Sequence, residues 1–299
     1  MRIFVTGASG FVGSAIVPEL LAAGHQVIGL ARSDAAASSL AAAGAQVHRG
    51  SVEEPETLTS GAVTADAVIH TAFVHDFANF KACCEIDRRA IETLGAALAG
   101  SQRPLLVTSG TAVLAPGRTS VEADVHTSGP DAFPRVATEE AAAAVAARGV
   151  RIGVVRLPPS VHGTGDHGFV PMLIQIARKT GVSAYIDAGA NRWPAVHRLD
   201  AGRLYRLAIE TEFTPGTKFH AVAEEGVRFR EIAEAIARGL GIPAASKPRD
   251  EAPRHFEWFA HFAGLDAPAA SAHTQQRLGW HPTQPGLIAD LDGAGYFAR

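Results

Sequence analysis

Glycines at positions 7, 10 and 13 punctuate the stretch Ile3-Phe4-Val5-Thr6-Gly7-Ala8-Ser9-Gly10-Phe11-Val12-Gly13. An apolar β-type run precedes them and an apolar helical run follows. This spacing suits the binding of a pyrophosphate. Gly7 permits a sharp turn at the strand end, Gly10 lets the backbone approach phosphate, and Gly13 lets the helix pack close to the sheet. A helix N-terminus offers unpaired N–H groups and a partial positive charge. Thr6 and Ser9 add hydroxyl donors, and Phe11 and Val12, at the start of the helical run, are further candidate cofactor contacts. Glycine also serves ordinary turns. The strand before and the helix after favour a dinucleotide site.

A second group of residues bears on which dinucleotide. In such folds an acidic residue at the end of the second strand holds the ribose hydroxyls. Here that strand ends Ile28-Gly29-Leu30-Ala31-Arg32-Ser33, with Ala31 where the acid would stand. A guanidinium binds a 2′-phosphate through paired hydrogen bonds, whereas a carboxylate repels it. Arg32 and Ser33 therefore favour NADP(H). Asp34 keeps NAD(H) open, since a small loop shift brings it toward the ribose. The plain alternative is that Arg32 is a solvated strand-end residue.

The elements that must position these groups follow an alternating rhythm. Apolar runs predict strands at Arg2–Thr6, Gln26–Ala31, Gln46–Arg49, Ala67–Thr71, Leu105–Thr108 and Arg151–Arg156. Alanine-rich stretches predict helices at Phe11–Ala23, Ala35–Ala43, Phe80–Ala99 and Val136–Arg148. Gly24, Gly44, Gly100 and Gly149 stand where those helices should stop. The rhythm is that of an α/β fold, a Rossmann doubly wound parallel sheet with crossover helices. After Arg156 the texture changes, with Leu157–Gly168 rich in Pro, Gly and His. Helices are predicted at Phe169–Lys179, Asp200–Glu210 and Phe229–Leu240, and a strand at Ser183–Asp187. The division expected is a dinucleotide-binding domain over 1–156, rejoined by 196–225. Residues 157–299 form mainly a smaller C-terminal substrate lobe that closes over the sheet.

The Thr-Gly-x-x-Gly-x-x-Gly turn, with the segments after it, resembles the extended short-chain dehydrogenase/reductase family, which includes sugar-nucleotide epimerases and dehydratases. Asp66-Ala67-Val68-Ile69-His70-Thr71-Ala72 resembles the family's fourth strand, which passes beside the cofactor. Leu106-Val107-Thr108-Ser109-Gly110-Thr111 resembles its fifth strand, and Val155–Gly163 the segment that runs past the nicotinamide. Trp193–Asp200 resembles its His-Val-x-Asp element. The resemblance implies cofactor contacts from Thr71, Ala72, Thr108, Leu157, Pro158 and Pro159. It also implies a proton-donating Tyr with a Lys four residues on. At that place stand Arg135 and Glu139, and no tyrosine precedes Tyr185. Gly110 falls near the family's catalytic Ser, flanked by Ser109 and Thr111.

The expected chemistry is hydride exchange with a small-molecule carbonyl or hydroxyl through a non-standard proton donor. Ser109, Thr111, Arg135 and His162 are the candidate catalytic residues. Their strand ends should converge on the crevice where this fold binds ligands. His is the natural donor near neutrality, and His70, His75, His167 and His197 lie in the same segments. Each has a plain structural reading: a packed strand-end His70, a loop-anchoring His197, a turn-capping Asp166. Arg135 and Glu139 at i,i+4 could form a surface ion pair worth a few tenths of a kcal/mol. Two rival functions remain, an epimerase or dehydratase that recycles its cofactor and a non-catalytic cofactor-binding sensor.

Composition sets outer bounds. Of 299 residues, 47% are hydrophobic and 19% charged, which fits a large globular core. A net charge of −3 argues against nucleic acid or an anionic membrane as partner. No apolar run is long enough to span a bilayer. Met1-Arg2-Ile3 leads directly into the first strand, leaving no room for a signal peptide. The two cysteines, Cys83 and Cys84, are adjacent, where a disulfide is strained, so a reduced, cytoplasmic protein is expected. No Cys/His cluster has zinc spacing. A homodimer through Phe80–Ala99 and Val136–Arg148 is compatible with their small residues, although nothing requires it.

Overall fold

The computed structural model describes residues 1–293 and 295–297. Its centre is a seven-stranded parallel sheet built from β1 (Arg2–Thr6), β2 (Gln26–Ala31), β3 (Gln46–Arg49), β4 (Ala67–His70), β5 (Leu105–Gly110), β6 (Ile152–Leu157) and, later in the chain, β10 (Thr217–His220). The spatial order is β10-β6-β5-β4-β1-β2-β3. The order reverses between β1 and β4, and the carboxyl ends of strands at such a reversal form the ligand crevice of open α/β sheets.

Helices cover both faces. α1 (Gly13–Ala22), α2 (Asp34–Ala42) and α7 (Arg198–Glu210) pack on one side. α3 (Pro55–Val63), α4 (Phe80–Leu98) and α5 (Val136–Ala147) pack on the other. Buried β1 supplies both cores, with Ile3 and Val5 to one and Phe4 to the other. This is the period-2 alternation of a strand covered on both faces. Small residues set the spacing between helices. A Cβ on Gly95 would lie 2.6 Å from a Val145 methyl, so α4 and α5 cross closely only because Gly95 has none.

The lobe comprises β7 (Ser160–His162), α6 (Phe169–Thr180), β8 (Ser183–Ile186), β9 (Arg192–His197), β11 (Glu224–Arg228), α8 (Phe229–Leu240) and β12 (Ala244–Lys247). It is completed by α9 (Ala252–Phe256), α10 (Ala260–Ala263), α11 (Ala272–Leu278) and α12 (Leu287–Asp292). Strands β11-β9-β7 form one small sheet and β12-β8 another. Trp193, Phe229, Phe256 and Phe259 fill the lobe's core. Leu278 and Trp280 of the tail join the core beneath the main sheet instead. Composition and period do not reveal α3, β7, β9 or β11, which are short or owe their form to pairing with distant strands. The predicted first helix loses its start, since Phe11 and Val12 belong to the glycine turn and α1 begins at Gly13. β5 extends two residues past Thr108, paired to β6 through Gly110↔Leu157. Among the described residues no helix is long and apolar enough to cross a membrane. Cys83 and Cys84 are buried free thiols.

One buried ion pair locks β6 to α5. The Arg156 side chain is fully buried and its Nε and Nη2 donate to the two oxygens of Glu139, each at 2.7 Å. Nη2 also donates to the Asp124 carbonyl, and Nη1 meets His220 Nε2 at 3.2 Å. His220 Nδ1 donates to the Ala270 carbonyl, so its Nε2 is the acceptor for Arg156. Burial alone pushes the Glu139 carboxyl upward, but the bidentate guanidinium outweighs it and holds the group below its ordinary value. Arg156→Met leaves this charge buried and unpaired, and is expected to cost about 3–5 kcal/mol in urea unfolding. The double variant Arg156→Met/Glu139→Leu should recover much of that loss, because no buried charge then remains.

Candidate active site

The glycine turn leaves β1 at Thr6, opposite His70 of β4. Gly7 has φ +70°, and a Cβ there would lie 2.6 Å from the Ala72 nitrogen. The Gly10 amide donates to the Gly7 carbonyl at 2.9 Å. A Cβ on Gly13 would overlap that same carbonyl oxygen. No side chain caps α1, and the amides of Phe11 and Val12 have no backbone acceptor among the described residues. Ser9 and Gly10 are exposed, and Phe11 and Val12 half-buried. An open helix start behind a cradle that any side chain would fill fits a pyrophosphate. Thr71 and Ala72 run alongside the turn, with Thr71 Oγ1 donating to the Thr6 carbonyl. The Thr6 hydroxyl does not face a ligand. It is buried and bonded to His70 Nδ1 at 2.7 Å.

At the far end of β2, Arg32 is exposed and its guanidinium has no hydrogen-bond or ion-pair partner among the described residues. Ser33 caps α2, its Oγ accepting from the Ala36 amide. Asp34 is held by Arg49 of β3, with Nη2 donating at 2.6 Å, while Nη1 donates to the Ser33 carbonyl. Arg49, which nothing in the β3 sequence singles out, therefore ties β3 to the start of α2 through Asp34 and the Ser33 carbonyl.

Beneath the catalytic end lies a buried carboxylate that sequence reasoning missed. Asp87 of α4 accepts from His70 Nε2 at 3.0 Å through one oxygen. Its other oxygen accepts from Arg135 Nη1 at 2.9 Å and from the Thr138 hydroxyl. The Arg135 Nη2 donates to the Thr108 carbonyl, and its guanidinium lies 4.0 Å from the centre of the Phe73 ring. Arg135 and Glu139 thus do not pair with each other on the surface. One turn of α5 sends Arg135 to Asp87 and Glu139 to Arg156, and each charge finds a buried partner on another element.

The remaining candidates fall into two classes. Ser109 and Thr111 are buried; Ser109 Oγ, which makes no well-aligned hydrogen bond, lies beside the Glu139 carboxylate, and the Thr111 hydroxyl has no partner among the described residues. Ser160, directly after Pro158 and Pro159, shares that condition. Such orphaned hydroxyls call for a ligand or water. Leu157 and Pro159 are half-buried beside them, and Pro158 is buried. Thr108 and His162 are already engaged. Thr108 Oγ1 bonds the His70 carbonyl and the Tyr205 hydroxyl. His162 is buried, with Nδ1 on Asp290 at 2.8 Å and its ring edge-on to His197. His197 accepts from the Leu199 amide and caps α7. Asp166 accepts from the Gly168 amide and from the Tyr296 hydroxyl. Burial raises the phenols of Tyr205 and Tyr296 above the ordinary value, opposite to what a proton donor near neutrality needs. His75 is exposed, with its ring 5.1 Å from that of Phe73. Partial burial, then the charges of Arg135 and His167, hold it below the ordinary histidine value.

The family model for the NAD dependent epimerase/dehydratase family matches residues 3–220. The chain belongs to this family. An uncharacterized protein of Schizosaccharomyces pombe is 50% identical over 298 residues, 99% of this chain and all of that one. The 4-hydroxy-2-methyl-3-oxo-4-farnesyl-3,4-dihydroquinoline-1-oxide ketoreductase of Stigmatella aurantiaca is 32% identical, covering 82% of this chain and 75% of its own length. The dTDP-glucose 4,6-dehydratase of Streptomyces venezuelae, solved with NAD and TYD bound, shares the fold with a TM-score of 0.78 at 19% identity, covering 98% of this chain and 95% of that one. The epimerase/dehydratase sheet and turn are therefore present, with Arg135 and Glu139 opening α5.

Asp87 makes this family member's site acid-sensitive. Burial raises its carboxyl, but Arg135 and His70, with Thr138, more than offset this and hold it below its ordinary value. A carboxyl depressed on folding contributes stability that is complete above its unfolded pKa. That contribution disappears as pH falls through the folded value. Urea unfolding is expected to weaken steeply below about pH 4, and Asp87→Asn should flatten that slope at the cost of lower stability near neutrality.

Proposed function

We propose that this chain is an NADP(H)-dependent oxidoreductase that interconverts a carbonyl and a hydroxyl on a small molecule. The observation that carries the reading is the buried, unpartnered hydroxyl of Thr111 just past the carboxyl end of β5, with the buried Ser109 two residues before it. They suit a substrate oxygen that must be held close to the cofactor ring. NADPH, when bound, supplies a hydride to the carbonyl carbon. Gly7, Gly10 and Gly13 with the start of α1 would hold its pyrophosphate. Arg32, exposed and without a partner among the described residues, would hold the 2′-phosphate. Support for a carbonyl substrate comes from the Stigmatella relative, whose name is that of a ketoreductase.

The proton on the substrate oxygen needs a source. Arg135, a guanidinium, would serve as a fixed cation that polarises the oxygen. His162 is occupied by Asp290 and positions the 162–168 loop. His75 is the exposed imidazole beside Phe73 and Arg135, and we assign the proton transfer to it. A general acid must be protonated, so reduction should accelerate as pH falls through the depressed His75 value, and alcohol oxidation should accelerate as pH rises through it. His75→Phe should lower kcat by about 10²-fold and remove that dependence, a loss typical of general acid–base residues.

The cofactor assignment is tested by titrating NADPH and NADH into the protein and into Arg32→Ala. NADPH affinity should fall about tenfold in the variant with NADH unchanged, the scale of one charge-assisted pair. Equal loss for both cofactors would remove the 2′-phosphate argument. Tight NADPH binding without turnover on any carbonyl or alcohol would favour the sensor reading.

A further inference from the structure

We infer that the substrate is a planar aromatic carbonyl or hydroxy compound, bound against a stack of rings that spans the two parts of the molecule. This rests on the oxidoreductase reading and names the substrate class of the same site. The stack begins at the glycine turn. The chain leaves β4 at His70, passes Gly7 at Thr71 and Ala72, and reaches Phe73, whose ring lies against Arg135. Phe80, at the start of α4, meets Phe73 at 6.1 Å between centroids. Phe77 lies nearly parallel to Phe80, at 5.7 Å and 21°. Trp258 of the lobe then stacks on Phe77 at 4.9 Å and 26°. Phe169 and Phe262 back this junction, 4.8 Å apart.

Exposure separates this stack from a core. Trp193 and Phe259, behind it, are fully buried. Phe73, Phe77, Phe80, Phe169 and Phe262 are only half-buried, and Trp258 is 52% exposed. Rings held part-open across two lobes form an apolar surface of the kind that marks a binding site. Three near-parallel faces in sequence select a flat π-system, which extends the stack by offset contact. The charges at the margin are already paired with one another, Lys81 with Asp131 and Lys179 with Glu257. Arg135 stands within the wall, and Asp87 and the Thr108 carbonyl hold it.

Calorimetric titration of the NADPH-bound protein with 2-acetylnaphthalene, cyclohexyl methyl ketone and UDP-glucose separates the substrate classes. The naphthyl ketone should bind at least tenfold more tightly than the non-planar ketone, and UDP-glucose should not compete with it. Phe77→Ala and Trp258→Ala should each weaken naphthyl ketone binding about tenfold while leaving NADPH affinity unchanged, and Trp258→Phe should restore most of it. Competition by UDP-glucose would overturn the inference, as would wild-type ketone affinity in both alanine variants. The same ketone titrated into protein without NADPH reads the ring stack directly, so failure of the cofactor reading is distinguishable from failure of this one.

Discussion

A buried carboxylate must be satisfied on both oxygens, and around Asp87 that requirement organises the catalytic end of the molecule. One oxygen orients His70, which in turn fixes Thr6 at the mouth of the glycine turn. The other holds Arg135 and Thr138 at the start of α5. Four elements, β1, β4, α4 and α5, are thereby brought into register around a single group. The cost of burying one charge is offset by an opposite charge and by hydrogen bonds on both carboxylate oxygens. The consequence for function is geometric. The turn that receives the cofactor and the helix that borders the substrate cannot move independently.

A second buried pair repeats the principle a few ångströms along α5. Arg156 and Glu139 are coupled to His220, Asp124 and the carbonyl of Ala270, so that β6, β10 and the tail near α11 share one anchor. The two residues that open α5 at i,i+4 spacing therefore carry structural charges toward different partners. An ionised pair at these positions changes what the site can do. Arg135 brings a guanidinium to this place, spent on Asp87 and the Thr108 carbonyl.

The lobe completes the site from the other side. The 162–168 loop is held by Asp290 and by Tyr296, whose hydroxyl bridges Asp166 and the Gly163 amide. Through these bonds the end of the chain sets the position of the loop that leads into Phe169. Ring contacts then carry the lobe across to Phe77 and, through Phe80, to Phe73. The crevice is thus polar at its floor, where hydroxyls wait without partners, and aromatic along its wall.

Much of this was legible in the amino-acid order alone. The three glycines, the apolar strands around them and the helix stops at Gly24, Gly44, Gly100 and Gly149 determine a doubly wound parallel sheet, because those features depend on local backbone freedom and on residue period. The same residues announce a dinucleotide turn, and the family model matching residues 3–220 agrees. Tertiary structure decided which polar groups are spent and which are open. Nothing local in the sequence says that Thr6 turns inward to His70, that Asp34 is held by Arg49, or that Arg135 and Glu139 part to separate partners. Nor does spacing reveal that Phe77 and Trp258 meet, 181 positions apart in the chain. Hydrogen-bond partners and stacked rings are set by which distant segments the sheet order brings together, and that order follows from packing of the whole chain rather than from any window of it.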